Sequence, residues 1–256
     1  MTGPLRRLRR RAAPAPPAPT EALDPRVRRL LEQHLAQAAP AGWFEPAYRL
    51  CRESGVGLPW VHASPHPYLL EWLERPVTTP GGRRAVVVGC GLGDDAQAVA
   101  EAGYQVTAID VAPTALAWAD QRFPEGVRWQ EADLLAVPEE LLGAFDLVVE
   151  VHTVPWLPGV VRDAAMVAVG RLARPGGVVV AVTLLGRSQQ ALEAASGPPW
   201  PQAPSELATY RAAELVRVAL EHPGPEAGPV FEARVTFQRP HGDPTDRAQL
   251  PTLPGG

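Results

Sequence analysis

The chain has 256 residues, of which 46% are hydrophobic and 20% are charged, and its formal net charge is −4 at pH 7. This length and composition fit one large α/β domain of an ordinary globular protein. The mild negative charge argues against general binding of nucleic acid or of a membrane surface, and no apolar run approaches the roughly 18 residues needed to span a bilayer.

The first 22 residues are rich in Arg and then in Pro and Ala, and we expect them to be disordered because they offer little to bury. They lack the apolar stretch of a signal peptide, so the sequence predicts a cytoplasmic protein. The two cysteines, Cys51 and Cys90, are too few and too far apart for a zinc site or an iron–sulfur cluster.

Three helices are predicted between residues 23 and 80. The first, DPRVRRLLEQHLAQAA, begins with Asp24 as N-cap and Pro25 at the first helical position, and Val27, Leu30 and Leu31 follow at helical spacing. Two shorter helices are predicted in FEPAYRLCRES and PHPYLLEWLER.

Strands and helices alternate between residues 81 and 240, beginning with the continuous apolar strand RRAVVVG. Alternation of this kind predicts right-handed crossovers and a doubly wound, mostly parallel sheet of an α/β protein. The last two segments, ELVRVALEH and VFEARVTFQRP, are joined by a link too short for a crossover helix, so we expect an antiparallel pair at one edge. Residues 241–256 are rich in Pro and Gly and are predicted to be disordered.

A glycine loop follows the first strand directly. Gly89, Gly91 and Gly93 form a GxGxG pattern, and Asp94 occupies the position of the last glycine in the GxGxxG fingerprint of dinucleotide-binding proteins. Asp94 and Asp95 would repel a pyrophosphate at the N-terminus of the next helix. The loop therefore favours a cofactor that carries a positive charge and no phosphate, such as S-adenosylmethionine.

Two further acids follow strands in chain order. Asp110 ends the second strand, 21 residues after Gly89, where an acid accepts hydrogen bonds from both hydroxyls of a ribose. Asp133 lies just past the third strand, in a position suited to the amino group of an adenine.

The motifs GCGLG, AID, EADLL, FDLVVEV and LARPGGVVV, in this order and spacing, resemble the class I S-adenosylmethionine-dependent methyltransferases. The resemblance covers residues 83 to 240 and implies their seven-stranded sheet with a terminal antiparallel pair. It also implies that residues 23–80 form a helical cover over the cofactor. The residues that it assigns to cofactor binding are Gly89, Cys90, Gly91, Gly93, Asp94, Asp110, Val111, Asp133, Leu134, Glu150 and Trp60.

Within this assignment, the glycine loop holds the methionine portion and Glu150 lies near its amino acid end. Many relatives have an acid inside the first strand, where this chain has Val87. Asp94 or Asp95 is therefore a candidate to hold the ammonium group instead.

The segment before the core is similar to the N-terminal cover of the thiopurine, thiol and halide methyltransferases. Trp43 and Trp60 match a Trp-containing stretch and a PW-type turn of that group, although PWVHASPHP replaces its acidic PWD pattern. We expect a small-molecule acceptor, with a thiol as one candidate, and a monomer or homodimer.

The segment EVHTVPWLPG after the fourth strand faces the methyl group in this fold. It lacks the [DNS]PP[YFW] motif for exocyclic amino groups of DNA bases, and the chain has no Pro-Cys nucleophile for cytosine. The chain also has no Asn, which the metal-dependent catechol type uses as a ligand, so we expect transfer without a metal.

His152 is the candidate proton acceptor, since an imidazole titrates near neutral pH; a role in orienting the loop is equally compatible with the sequence. Trp43, His62 and Trp156 are candidates for the acceptor pocket. Two alternatives stay open, namely a module that binds S-adenosylmethionine without catalysis and, less favoured, an NAD-dependent oxidoreductase.

Overall fold

The computed structural model describes residues 15–75, 82–222 and 228–241. Most of the two predicted disordered tails lies outside these residues, and residues 15–22 have no regular secondary structure. No helix in the described part of the chain is long and apolar enough to cross a membrane.

Three helices precede the sheet, as predicted: α1 (Pro25–Ala36), α2 (Phe44–Ser54) and α3 (Pro67–Leu73). Each has a local reason to begin or end where it does. The Asp24 side chain accepts a hydrogen bond from the first turn of α1, and α2 ends at Gly55 in the left-handed conformation. Asp24 and a glycine are the start and stop signals that the sequence displays.

The rest of the chain alternates between strands and helices. In chain order these are β1 (Arg84–Val88), α4 (Asp94–Glu101), β2 (Gln105–Asp110), α5 (Pro113–Arg122), β3 (Val127–Glu131), β4 (Phe145–Val151), α6 (Gly159–Leu172), β5 (Ala173–Gly186), α7 (Gln189–Glu193), β6 (Val216–Glu221) and β7 (Val230–Gln238). Four short 3₁₀ segments connect them, at Leu134–Ala136, Glu139–Leu141, Val154–Trp156 and Pro204–Ala213.

The seven strands form one sheet in the order β3-β2-β1-β4-β5-β7-β6. The pairs from β3 to β5 are parallel, and β7 runs antiparallel between β5 and β6. The predicted α/β class, the doubly wound sheet and the terminal antiparallel pair are thus confirmed.

Side chains of β1 alternate between the two faces of the sheet, because successive residues of a strand point in opposite directions. Val86 and Val88 belong to the apolar cluster that α6 covers, whereas Ala85 and Val87 belong to the cluster that α4 covers. The chain order reverses between β1 and β4, and ligands of open α/β sheets bind at the carboxyl ends of the strands at such a point.

Helices α1 and α2 pack beside this edge of the sheet, whereas the buried residues of α3 pack on the face that α4 covers. Trp43 and Val27 share a buried cluster with Trp118 of α5 and with Trp156 of the turn after β4. The Glu45 side chain also accepts hydrogen bonds from the backbone N–H and the hydroxyl of Thr114, at 2.9 and 2.7 Å. These contacts fix the cover against the first turn of α5, next to the ends of β1 and β2.

Candidate functional site

The glycine loop after β1 has positive φ angles and close neighbours at two positions, where a residue with a Cβ would not fit. Gly89 has φ +60°, and a Cβ added there would lie 2.3 Å from Oγ1 of Thr153. Gly91 has φ +51°, and its Cβ would lie 2.8 Å from the hydroxyl of Tyr48. Both positions therefore require glycine, because of the conformation and because of the neighbour that lies so close.

Asp110 holds this loop in place. Its Oδ2 accepts a hydrogen bond from the backbone N–H of Gly91, and its Oδ1 accepts one from Ala112, both at 2.9 Å. Burial raises the pKa of the Asp110 carboxyl to about 6, in spite of these two bonds. A carboxylate has about four acceptor sites in all, which is more than these bonds use, so Asp110 can still accept from a ligand hydroxyl.

Asp110 lines a first, narrow cavity of about 100 Å³, the cofactor cavity, between the carboxyl ends of the strands and the cover. Its walls are apolar apart from a few polar groups. The predicted cofactor residues that line it are Gly89, Asp110, Val111, Asp133, Leu134 and Trp60. The Asp133 side chain also accepts a hydrogen bond of 2.8 Å from the N–H of Leu135, which fixes the turn after β3.

A second, larger cavity of about 640 Å³, the acceptor cavity, adjoins the first. The two cavities share Trp60, Val151, His152 and Trp156 as lining residues. The predicted pocket residue His62 lines the acceptor cavity, as do Asp95 and Glu232. The four shared residues thus stand at the junction of the two cavities.

His152 has a hydrogen-bond partner that comes from the last strand. Its Nε2 lies 2.6 Å from Oε1 of Glu232, and Nε2 of His66 lies 3.1 Å from the same oxygen. The backbone of His152 has φ +57°, a left-handed conformation that residues other than glycine rarely adopt. Strained backbone of this kind clusters at functional sites.

The hydrogen bonds of the His66 ring indicate which of its two nitrogens carries the proton. Nδ1 of His66 accepts a hydrogen bond of 3.2 Å from the backbone N–H of Tyr68 at the start of α3. A neutral ring that accepts at Nδ1 carries its proton on Nε2, so His66 donates to Glu232. When neutral, His152 likewise donates through Nε2, which leaves its Nδ1 with a lone pair. Among the described residues, Nδ1 of His152 has no hydrogen-bond partner.

The charges of this group follow from these contacts. Partial burial raises the pKa of Glu232, but the hydrogen bonds from His152 and His66 outweigh it and hold the pKa well below its ordinary value. Burial lowers the pKa of His62, and the neighbouring His152 and His66 lower it further. Glu232 is therefore ionised and His62 is neutral at neutral pH.

Six of the predicted site residues do not line either cavity, namely Trp43, Cys90, Gly91, Gly93, Asp94 and Glu150. Asp94 forms an ion pair with Arg122, with its two oxygens 2.6 and 2.7 Å from the guanidinium nitrogens. Trp43 is fully buried in the cover, and Cys90 is buried in the loop. The Glu150 side chain points to the other face of β4, where it accepts a hydrogen bond from the N–H of Val154.

Glu150 is a buried carboxyl with one unsatisfied oxygen. Its Oε2 has no hydrogen-bond partner, and burial raises its pKa from 4.5 to about 7. Since the folded state binds this proton more tightly than the unfolded chain does, the stability that it contributes is fully present below about pH 4.5. That contribution is lost as the pH rises through about 7.

We expect a Glu150→Gln variant to be more stable than the unaltered protein at pH 8, because it removes a buried charge. The gain in unfolding free energy should be at most on the order of 3 kcal/mol and should shrink toward pH 4. Thermal unfolding followed by circular dichroism between pH 4 and pH 8 measures it. Glu131→Gln, at an exposed carboxyl at the end of β3, is the matched control. An equal pH dependence in all three proteins would contradict the raised pKa.

Several residues of the site had no recognised signal in the sequence. Phe44 and Tyr48 of α2 line the cofactor cavity, as does Thr153, whose hydroxyl donates to the carbonyl of Val88. Glu232 lies on the polar face of β7, a face that the alternation in VFEARVTFQ displays. Its proximity to His152 depends on the pairing of Glu232 with Leu184 across β5 and β7, which the sequence does not reveal.

The sheet order β3-β2-β1-β4-β5-β7-β6 with its antiparallel β7 is that of the class I methyltransferase fold. Solved structures match it, although at identities that show the fold alone. The protein described under "Conversion of a Disulfide Bond into a Thioacetal Group during Echinomycin Biosynthesis" matches with a TM-score of 0.62 at 22% identity, over 81% of this chain and 95% of that one. The [4+2]-cyclase SpnF matches with a TM-score of 0.58 at 18% identity, over 90% and 100%.

Residues 85–177 match the family model described as a methyltransferase domain. This match confirms the prediction of a methyltransferase domain for these residues. The ubiquinone biosynthesis O-methyltransferase of Bordetella avium is 31% identical over 122 residues, 46% of this chain and 50% of the relative. That of Paracidovorax citrulli is 30% identical over 158 residues, 59% of this chain and 64% of the relative. The chain thus spans about half the length of the first of these relatives.

Proposed function

We propose that this protein transfers a methyl group from S-adenosylmethionine to a small molecule that carries a hydroxyl or a thiol. The proposal rests on the position of His152, which lies where the two cavities meet and is hydrogen-bonded through Nε2 to Glu232. Its Nδ1 is left to take a proton. The match of residues 85–177 to a methyltransferase domain supports the same activity.

The residues of the cofactor cavity fit the proposed methyl donor. Asp110 offers carboxylate oxygens to the ribose hydroxyls, and Asp133 and Leu134 line the part of the cavity suited to the adenine. Gly89 lines the same cavity with backbone atoms alone. Asp95 is half-buried and lines the neighbouring cavity, so it is a better candidate for the ammonium group than Asp94, which Arg122 already neutralises.

S-adenosylmethionine, when bound, supplies a methyl carbon on a positively charged sulfur, which leaves with the electron pair of the broken bond as S-adenosylhomocysteine. The protein has to align the acceptor with that carbon and to remove its proton. In our proposal the acceptor's hydroxyl or thiol gives its proton to Nδ1 of His152, and its electron pair forms the new bond to carbon. Glu232 keeps the imidazole oriented and stabilises the imidazolium that results.

We include a thiol among the acceptors because of the resemblance of the cover to the thiopurine, thiol and halide methyltransferases. A thiol ionises readily and needs little help from a base, whereas a hydroxyl needs a base to lose its proton. The pairing of His152 with Glu232 supplies such a base, so it supports a hydroxyl as acceptor alongside the thiol. The relatives from Bordetella avium and Paracidovorax citrulli are described as O-methyltransferases.

We also propose that the transfer needs no metal ion. One ring nitrogen of His66, one of His152 and a carboxylate oxygen of Glu232 lie within 4.8 Å of one another, close enough to be considered as cation ligands. The N–H of Tyr68, however, donates to Nδ1 of His66 and so keeps the proton of the neutral ring on Nε2. A metal requires the lone pair of that nitrogen. The hydrogen bonds thus favour a carboxylate held by two imidazoles.

Calorimetric titration with S-adenosylhomocysteine, with NAD as a control, tests the cofactor. We expect S-adenosylhomocysteine to bind with a micromolar Kd and NAD not to bind. Release of S-adenosylhomocysteine with thiophenol or phenol as acceptor then tests the activity, and a chelator should leave the rate unchanged. Tight binding without turnover of any acceptor would favour a non-catalytic binding module, and binding of NAD alone would favour the oxidoreductase.

A further inference from the structure

The wall of the acceptor cavity has an unusual balance of charges. Three carboxylates line it, those of Glu21, Asp95 and Glu232. No guanidinium lines the cavity among the described residues, and the chain contains no Lys. Like charges repel one another, so these carboxylates disfavour a negatively charged acceptor. In the described part of the wall, no guanidinium or ammonium group is present that could bind such an acceptor.

The nearest positive charge on the same strand is already neutralised. Arg234 lies two residues from Glu232 and is buried, and its guanidinium pairs with Glu221 at 2.8 Å and with Glu71 at 3.3 Å. It also donates a hydrogen bond to the carbonyl of Tyr68. This guanidinium is fully engaged with groups of the protein and is not available to an acceptor.

Three histidines also line the cavity, and two of them are hydrogen-bonded to one of its carboxylates. His62 is held neutral by burial and by its neighbours. His66 and His152 direct their Nε2 atoms to a single oxygen of Glu232. In their neutral forms these rings add no positive charge, so the three carboxylates determine the charge that an acceptor meets.

Aromatic rings complete the cavity. Trp60 and Trp156 both line it, and their ring centroids lie 4.6 Å apart with the planes inclined by 64°. The Nε1 of Trp60 donates to the hydroxyl of Tyr48, which fixes the orientation of that ring. Tryptophan faces attract cations, and carboxylates next to such rings form a typical environment for an ammonium group.

We infer, on the basis of the proposed function, that this cavity selects a small acceptor that carries a positive charge, such as an amine that bears a hydroxyl or a thiol. The ammonium group lies among the carboxylates and the tryptophan rings, and the hydroxyl or thiol lies next to His152. The reaction is the one proposed above, and the acceptor's ammonium group keeps its protons.

Two series of matched acceptors test the inference at pH 8 with the full chain. The thiols are cysteamine, 2-mercaptoethanol and mercaptoacetate; the phenols are tyramine, 4-(2-hydroxyethyl)phenol and 4-hydroxyphenylacetate. Within a series, size and reacting atom stay nearly the same while the charge changes from positive to zero to negative. We expect kcat/KM to fall in that order by at least about tenfold from first to last, and the difference to shrink at high salt.

A charge variant of the cavity wall gives a second readout. Glu21→Gln should reduce the preference for the cation several-fold, whereas Glu53→Gln, at an exposed carboxyl on α2, should leave it unchanged. Equal kcat/KM within a series, or a preference for the anion, would overturn the inference while the turnover itself upheld the proposed function.

If no acceptor of either series is methylated, the activity proposal fails for these compounds, and the inference is decided by binding. The same six compounds are then titrated into the complex with S-adenosylhomocysteine, and the shift in Tm is measured. The inference stands if the cations bind more tightly than the anions, and it is overturned if they do not.

Discussion

A His152→Ala variant should lose at least about a hundredfold in kcat with a phenol as acceptor, because no other group at the junction of the cavities replaces its Nδ1 as a base. With a thiol as acceptor the same variant should lose less than about tenfold, since a thiol ionises without help at pH 8. Steady-state rates of release of S-adenosylhomocysteine measure both effects. The ratio of the two losses separates removal of a base from general damage to the site.

His34→Ala is the control for this comparison. His34 lies in the last turn of α1, where its Nδ1 contacts the carbonyl of Leu30, and it does not line either cavity. It should leave both rates within about twofold. Equal losses with the phenol and the thiol in His152→Ala would mean that His152 orients the loop and is not the base.

An Asp110→Asn variant should bind S-adenosylhomocysteine about 10- to 100-fold more weakly than the unaltered protein. In the unaltered protein the backbone N–H groups of Gly91 and Ala112 each donate to one Asp110 oxygen at 2.9 Å. The asparagine amide keeps one acceptor oxygen, but its NH₂ group faces the other backbone N–H and cannot accept from it. Leaving such a donor unsatisfied costs roughly 1 to 3 kcal/mol, which corresponds to this range of Kd. Calorimetric titration at pH 7.5 measures it.

Asp146→Asn is the matched control. Asp146 also accepts a hydrogen bond from a backbone N–H, that of Arg84, but it lies near the amino end of β4, away from both cavities. This variant should keep its affinity. The affinity of the unaltered protein should also weaken as the pH falls through about 6, where Asp110 takes up a proton, and Asp110→Asn should lack this step. An unchanged Kd in Asp110→Asn would remove Asp110 from the proposed cofactor site.

The fold could be predicted because the sequence features that indicate it lie close to one another in the chain. The apolar run AVVV, the glycine loop and the acid at the end of β2 define one βαβ unit within fewer than thirty residues, from Arg84 to Asp110. The antiparallel pair followed from a connection too short for a helix. Each of these features depends on residues that are neighbours in the sequence.

The site was only partly predictable because some of its contacts depend on register and side-chain direction. Glu150 and Val151 are adjacent, yet strand alternation places Val151 in both cavities and Glu150 against the opposite face. An alternation count along β4 from the buried Val149 would have separated the two. Strand alternation could not predict the contact between His66 and Glu232, because Glu232 lies 166 residues later in the chain.

The late position of Glu232 in the sequence also affects the order in which the parts of the site form during synthesis and folding. The residues that line the cofactor cavity all lie between Ala41 and Leu157, so a chain that ended before Val230 would contain every one of them. It would lack the carboxylate that holds His152, which is 80 residues away in sequence. Closing loops of this length is entropically costly and slow compared with local contacts. A nascent chain thus acquires the residues for binding the cofactor well before it acquires those that orient the base.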